Sequence, residues 1–175
     1  MAKLRKPLVI VVLALLAVLT IDGAVLAALV GRNGRAVTAV RTVTNDIEWR
    51  TASANWVDVP DMKVSVSVPA GEKAILVITF STASRCALYQ AAHNTCAIKV
   101  LLDGNVVSPG EVIWTHVEQT EGDTSVGSMQ WVAGPVAAGE HVVKVQAQME
   151  PPPVVLPPGS FTLLGRTLTV LRSKI

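Results

Sequence analysis

The chain is poor in what most site chemistry uses. It has two cysteines, one tyrosine and two phenylalanines in 175 residues. Cys86 and Cys96 are too few for a zinc ribbon, a cluster or a disulfide-dense scaffold. No G-x-S-x-G, H-E-x-x-H or glycine-rich phosphate loop occurs, which removes the common hydrolase, zincin and nucleotide-binding patterns. After residue 35 no stretch repeats apolar residues at helical spacing, which argues against an α or α/β domain. Charge of one sign is also scarce. The net charge is +2, and Lys3, Arg5 and Lys6 less Asp22 account for all of it. The rest holds twelve basic and twelve acidic residues, so it has no electrostatic footprint for nucleic acid. The expectation is no nucleic-acid partner and no cofactor.

What is present falls into unlike parts. Residues 1–30 form a leader, "MAKLRKPLVIVVLALLAVLTIDGAVLAALV", with a basic start and an apolar run from Leu8 to Val30. It reads as a signal anchor or a signal peptide. The run of 23 residues is long enough to span a hydrocarbon core of about 30 Å as one N-terminal hydrophobic helix. Against a deep span stands Asp22, costly at mid-membrane. For cleavage stand the small side chains near Val25–Ala27. Either reading puts the remainder outside the cytoplasm, held at the cell membrane by a single pass or secreted. Residues 31–46, with Gly31 and Gly34 and no strong period, read as a linker that runs toward a first strand.

Residues 47–175 read as an antiparallel β-sandwich. "KVSVSVP" alternates, with Val64, Val66 and Val68 inward and Lys63, Ser65 and Ser67 outward. "KAILVITFST" (73–82) is apolar on both faces, as a central strand is. "CAIKVLLDG" (96–104) aligns Ile98, Val100 and Leu102 and ends in the turn pair Asp103-Gly104. Further strands are predicted at 111–119, 128–134, 140–150, 161–164 and 166–173. "EPPPVVLPPG" (150–159) cannot join a central ladder, because its prolines lack the donor. Ala-Gly-Glu precedes a strand twice, and Gly71 and Gly139 are expected to supply positive φ there.

Taken together, "PAGEKAILVITFST", "CAIKVLLDG", "GPVAAGEHVVKVQAQ" and "FTLLGRTLTVL" resemble the jelly-roll head domains of the C1q and tumour-necrosis-factor type, over about residues 54–173. They also resemble secreted bacterial β-sandwich domains. The resemblance implies an all-β, jelly-roll-like fold that binds and assembles without catalysis. It carries over no site residue.

Outside the cytoplasm, Cys86 and Cys96 at the ends of consecutive strands read as a disulfide. In an antiparallel hairpin such positions come within the roughly 4.4–6.8 Å Cα separation that the bond needs. The spacing C-x6-H-x2-C with His93 matches no standard zinc site. His116, Glu118 and His141 are a weaker metal candidate, and Glu111, Glu118, Glu121 and Asp123 a weaker hydrolase candidate. The aromatic candidates are Trp56, Trp114 and Trp131. An exposed indole on a sandwich face can stack a sugar ring, whereas mid-strand Trp114 and Trp131 equally suit a core. The function expected is a non-catalytic binding or assembly module. Its partner would be a glycan, a cell-wall polymer, a protein or a second copy. The alternative is a structural envelope protein with no small ligand.

Overall fold

A computed structural model describes residues 36–87, 95–116, 124–149 and 159–175. The expectations for the leader, His93, Glu118, Glu121, Asp123 and the proline run 150–158 lie outside the described residues. Among the described residues every regular element is a strand, and no helix is long and apolar enough to cross a membrane. Val37–Ile175 forms one compact unit.

The described residues form ten strands: β1 Val37–Asn45, β2 Trp49–Thr51, β3 Val57–Val68, β4 Ala74–Ala87 and β5 Thr95–Leu102, then β6 Asn105–Val106, β7 Val112–His116, β8 Ser125–Val136, β9 Gly139–Met149 and β10 Ser160–Lys174. They pair into two antiparallel sheets, confirming the β-sandwich. Sheet A runs β1-β10-β4-β8, with β2 also on β10. Sheet B runs β3-β9-β5-β6, with β7 also on β5. Successive long strands alternate between the sheets.

Strand parity decides what lies between them. On β3 the inward set is Met62, Val64, Val66 and Val68, all buried, while Lys63, Ser65 and Ser67 are exposed. β4 alternates buried and half-buried along its whole length, as a strand with neighbours on both sides does. Leu76, Ile78 and Phe80 from β4, Leu168 and Val170 from β10 and Trp131 from β8 meet Val100 from β5 and Val143 and Val145 from β9. Each such side chain contributes about 1.5–3 kcal/mol by leaving water.

Three features differ from the sequence reading. The sandwich begins at Val37, not at residue 47, because β1 pairs with β10 from Val37↔Ser173 to Asn45↔Arg166. β1 is an edge strand and mostly exposed, so it carries no apolar period to announce it. The segments 161–164 and 166–173 are one strand, β10. The ladder to β4 skips between Leu164 and Thr167, Gly165 takes φ +54°, and pairing resumes. Such a bulge lets a strand continue where a pattern breaks. Arg166, next to it, is 1% exposed, and one guanidinium NH donates to the Leu163 carbonyl at 3.3 Å. The third difference concerns the cysteines. β4 and β5 are consecutive but lie in opposite sheets, so Cys86–Cys96 is not a hairpin rung. The bond is formed, with Cα atoms 5.9 Å apart, and it ties sheet A to sheet B across one end of the core.

The turns follow the sequence. Asp103 (φ 51°) and Gly104 (φ 84°) make the two-residue hairpin between β5 and β6, the positive-φ pair a type I′ turn needs. Gly71 (φ 77°) sits third in the turn closed by the Glu72 amide on the Pro69 carbonyl, where a type II turn requires a left-handed residue.

Candidate functional site

The three candidate tryptophans separate cleanly. Trp131 is fully buried, and its indole Nε1 donates to the Gly110 carbonyl at 2.9 Å. It is corrected from stacking candidate to core residue: its position on β8 has inward parity, opposite Ile78 of β4, so no ring face meets solvent. Trp114 on β7 is half-buried against the core. Its ring lies 5.5 Å from that of Phe80, tilted by 58°. A Cβ on Gly127 would sit 3.0 Å from the same indole, so that glycine makes room for the ring. Trp49 is also half-buried against the core.

Trp56 differs. It enters β3 with outward parity and is half-buried on the outer face of sheet B. The pairing of β3, β9 and β5 brings polar groups to it from three strands. Asp58 lies opposite Gln146, and Gln146 opposite Lys99. Lys99 Nζ stands 4.1 Å above the centre of the Trp56 ring, a cation–π contact worth about 0.5–1 kcal/mol at an exposed site. Lys144 Nζ donates to Asp58 Oδ2 at 2.9 Å, and Gln146 Nε2 to Asp58 Oδ1 at 2.6 Å. The Lys144 hydrogen bond, then that of Gln146, holds the Asp58 carboxyl below its usual range, so it is an acceptor at neutral pH. Lys63 lies directly opposite Lys144, a like-charge pair that disfavours the bare sheet.

Three ammonium groups against one carboxylate give this patch a local excess of positive charge, although residues 37–175 together hold ten basic and twelve acidic residues. The arrangement has a half-buried indole with Lys99 over its ring, the Gln146 amide, a carboxylate acceptor and two further lysines. It offers no nucleophile poised on a base. Among the described residues no three histidines, cysteines or carboxylates are grouped to hold a metal.

His141 belongs to a different structure at the far end of β9. Its Nδ1 lies 2.7 Å from Asp103 Oδ2 and its Nε2 2.9 Å from the Ala137 carbonyl. Both neighbours are acceptors, so the doubly protonated ring satisfies both. Asp103 Oδ1 also accepts from the Val142 amide at 2.8 Å. The ring thereby clamps the β5–β6 turn to the β8–β9 turn. The hydrogen bond that the ring donates to Asp103 raises the His141 pKa, and the same bond lowers that of Asp103. The two signs define a window. The histidine contribution is complete below its unfolded pKa of about 6.5 and is lost as pH rises above it; the aspartate contribution is present above about pH 4 and is lost in acid. Melting curves from pH 6 to 9 should show the wild-type midpoint falling relative to His141→Gln, whose side chain cannot charge. Parallel curves would contradict the clamp.

The sequence reading placed Trp56 among the candidates but missed Asp58, Lys99, Lys144 and Gln146. The alternation in "KVQAQ" (144–148) puts Lys144 and Gln146 on the solvent side, and that signal was legible. That β9 lies between β3 and β5 was not.

No family model matches this chain, and no curated protein matches it. Among solved structures, a mutant VP2 protein of infectious bursal disease virus, in derived T=1 particles, is similar over 78% of this chain. The two share 12% identity at a TM-score of 0.37, and the match spans 36% of the VP2 chain. A likeness of that size carries no functional argument.

Proposed function

We propose that the chain is a non-catalytic binding module of jelly-roll winding, displayed outside the cytoplasm by its leader, whose ligand is a glycan or cell-wall polymer. The observation that carries this reading is the Trp56 platform. An indole on a sheet face beside the Gln146 amide, a carboxylate and three lysines is a polar-ligand surface. A pyranose presents an apolar C–H face to such a ring and hydroxyls to its neighbours. The strand order, β1-β10-β4-β8 against β3-β9-β5 with β7, supports the jelly-roll assignment, since eight strands then divide into two interleaved four-stranded sheets. The inter-sheet disulfide supports an oxidising compartment. The basic excess of the patch favours polymers that carry carboxylate or phosphate groups over neutral ones.

The test is affinity electrophoresis of the full chain in detergent through gels containing neutral or acidic wall polysaccharides. Retardation by an acidic polymer, weakened about tenfold by Trp56→Ala with an unchanged melting point, is the expected result. Equal retardation of wild type and variant, or none in any gel, would overturn the assignment.

A further inference from the structure

The outer face of sheet A contrasts with that of sheet B. Across its middle, among the described residues, it carries no ionisable side chain. One cross-strand row is apolar: Val40 on β1, Leu171 on β10, Val77 on β4 and Val132 on β8. Val40 and Val132 are about half exposed, at 52% and 51%. The next row is neutral and hydrogen-bonded within itself. Thr42 and Thr169 share a bond at 3.1 Å, and Gln130 Nε2 donates to Thr79 at 3.4 Å. In the row after, Ser81 and Ser128 share a bond at 2.8 Å. Val126, 85% exposed beside Ala83, closes the field. Arg85, beyond Ala83 on β4, is the first charged outward position on that strand.

We infer that this face docks on the same face of a second copy of the chain. A twofold contact sets like against like. With the axis along the strands, each row meets its own copy, and β10 lies over β4. An apolar row then covers an apolar row. Hydroxyls meet hydroxyls, which both donate and accept. A face bearing charges would repel itself in this arrangement, and here none does. Four strands spaced about 4.8 Å apart, followed from Val77 to Ala83 at about 3.4 Å per residue, make a field of roughly 450 Å² in projection. The corrugated accessible area is larger, so two copies reach the roughly 1,000 Å² at which a specific contact begins. The dimer is therefore of the weak, reversible class, packed as two aligned sheets about 10 Å apart. The inference stands apart from the Trp56 platform, which faces the other way.

The experiment is sedimentation equilibrium of the full chain in a density-matched detergent, with Val77→Lys as the probe. Val77 is at the centre of the apolar row, and its lysine would meet the partner's across the axis. Ser65→Lys, on the outer face of sheet B, is the control. A reversible dimer in the wild type and in Ser65→Lys is expected. Val77→Lys should dissociate at least tenfold more readily, with its melting point unchanged. A monomer at every concentration overturns the inference. So does a dimer indifferent to Val77→Lys, because that association would run through another surface.

Discussion

Trp131→Ala should cost about 3–5 kcal/mol of folding stability, the largest single-residue loss expected for this domain. The indole is completely buried, stands opposite Ile78 in the β8–β4 ladder, and is among the largest fully buried side chains described. Removing it leaves a cavity lined by strands that cannot close over it, since both sheets hold their spacing through other contacts. A second loss adds to the first. The Nε1–H to Gly110 carbonyl bond pins the loop between β6 and β7 beneath the end of sheet A. Without it the half-buried Gly110 carbonyl loses its donor, at about 0.5–1.5 kcal/mol. Trp131→Phe separates the two, because it keeps most of the ring volume and loses the donor. Urea denaturation of the three proteins should rank wild type above Phe above Ala. The Ala variant should lose much of the 5–15 kcal/mol that a domain of this size typically holds. An Ala variant within 1 kcal/mol of wild type would mean the ring is not a core element.

Opening the disulfide should rank next, at about 3 kcal/mol. Cys86 and Cys96 are ten positions apart, and closing so short a loop removes about that much chain entropy from the unfolded state. Topology adds to its importance. The bond joins the end of β4 in sheet A to the start of β5 in sheet B, so it holds the sheets together at one end of the core. Both cysteines are buried, and an excess of reductant should reach them only as that end opens. Melting with and without a strong reductant should show a fall of roughly 10 °C. Cys86→Ala with Cys96→Ala should melt at the reduced temperature and ignore the reductant. Equal midpoints in both conditions would show that the bond carries no stability.

Much of this fold was legible because period-2 patterns survive wherever one face is dry. β3, β4 and β9 announce themselves that way. β1 did not, because it is a mostly exposed edge strand that sets only Val43 against the core, too little to impose an apolar alternation on Val37–Asn45. β10 looked like two strands, because Gly165 and Arg166 break the pattern at a bulge that the backbone crosses without ending its ladder. The cysteine pair was legible as a bond but not as a bond between sheets. Sequence adjacency suggests a hairpin, and only the pairing of β4 with β10 and β8 shows that β5 belongs elsewhere. The binding platform was half legible for the same reason. Strand parity gives the solvent side of Lys99 and Gln146, but their meeting at Trp56 depends on which strand neighbours which.

The position of the last strand has a consequence in time. β10 lies between β1 and β4 and also carries β2, so three of its four companions in sheet A hydrogen-bond to it directly. The first and last strands of the domain are thus adjacent in space and more than a hundred residues apart in the chain. Until Ser160–Lys174 has been made, β1 and β2 have no partner and sheet A cannot close. A nascent chain missing those fifteen residues is an incomplete substrate for its own folding, however long it waits. The closing step carries a high contact order, which places the domain among slow folders. Until then one edge of β4 has no ladder partner, and the sandwich is open on the side that β1, β2 and β10 complete.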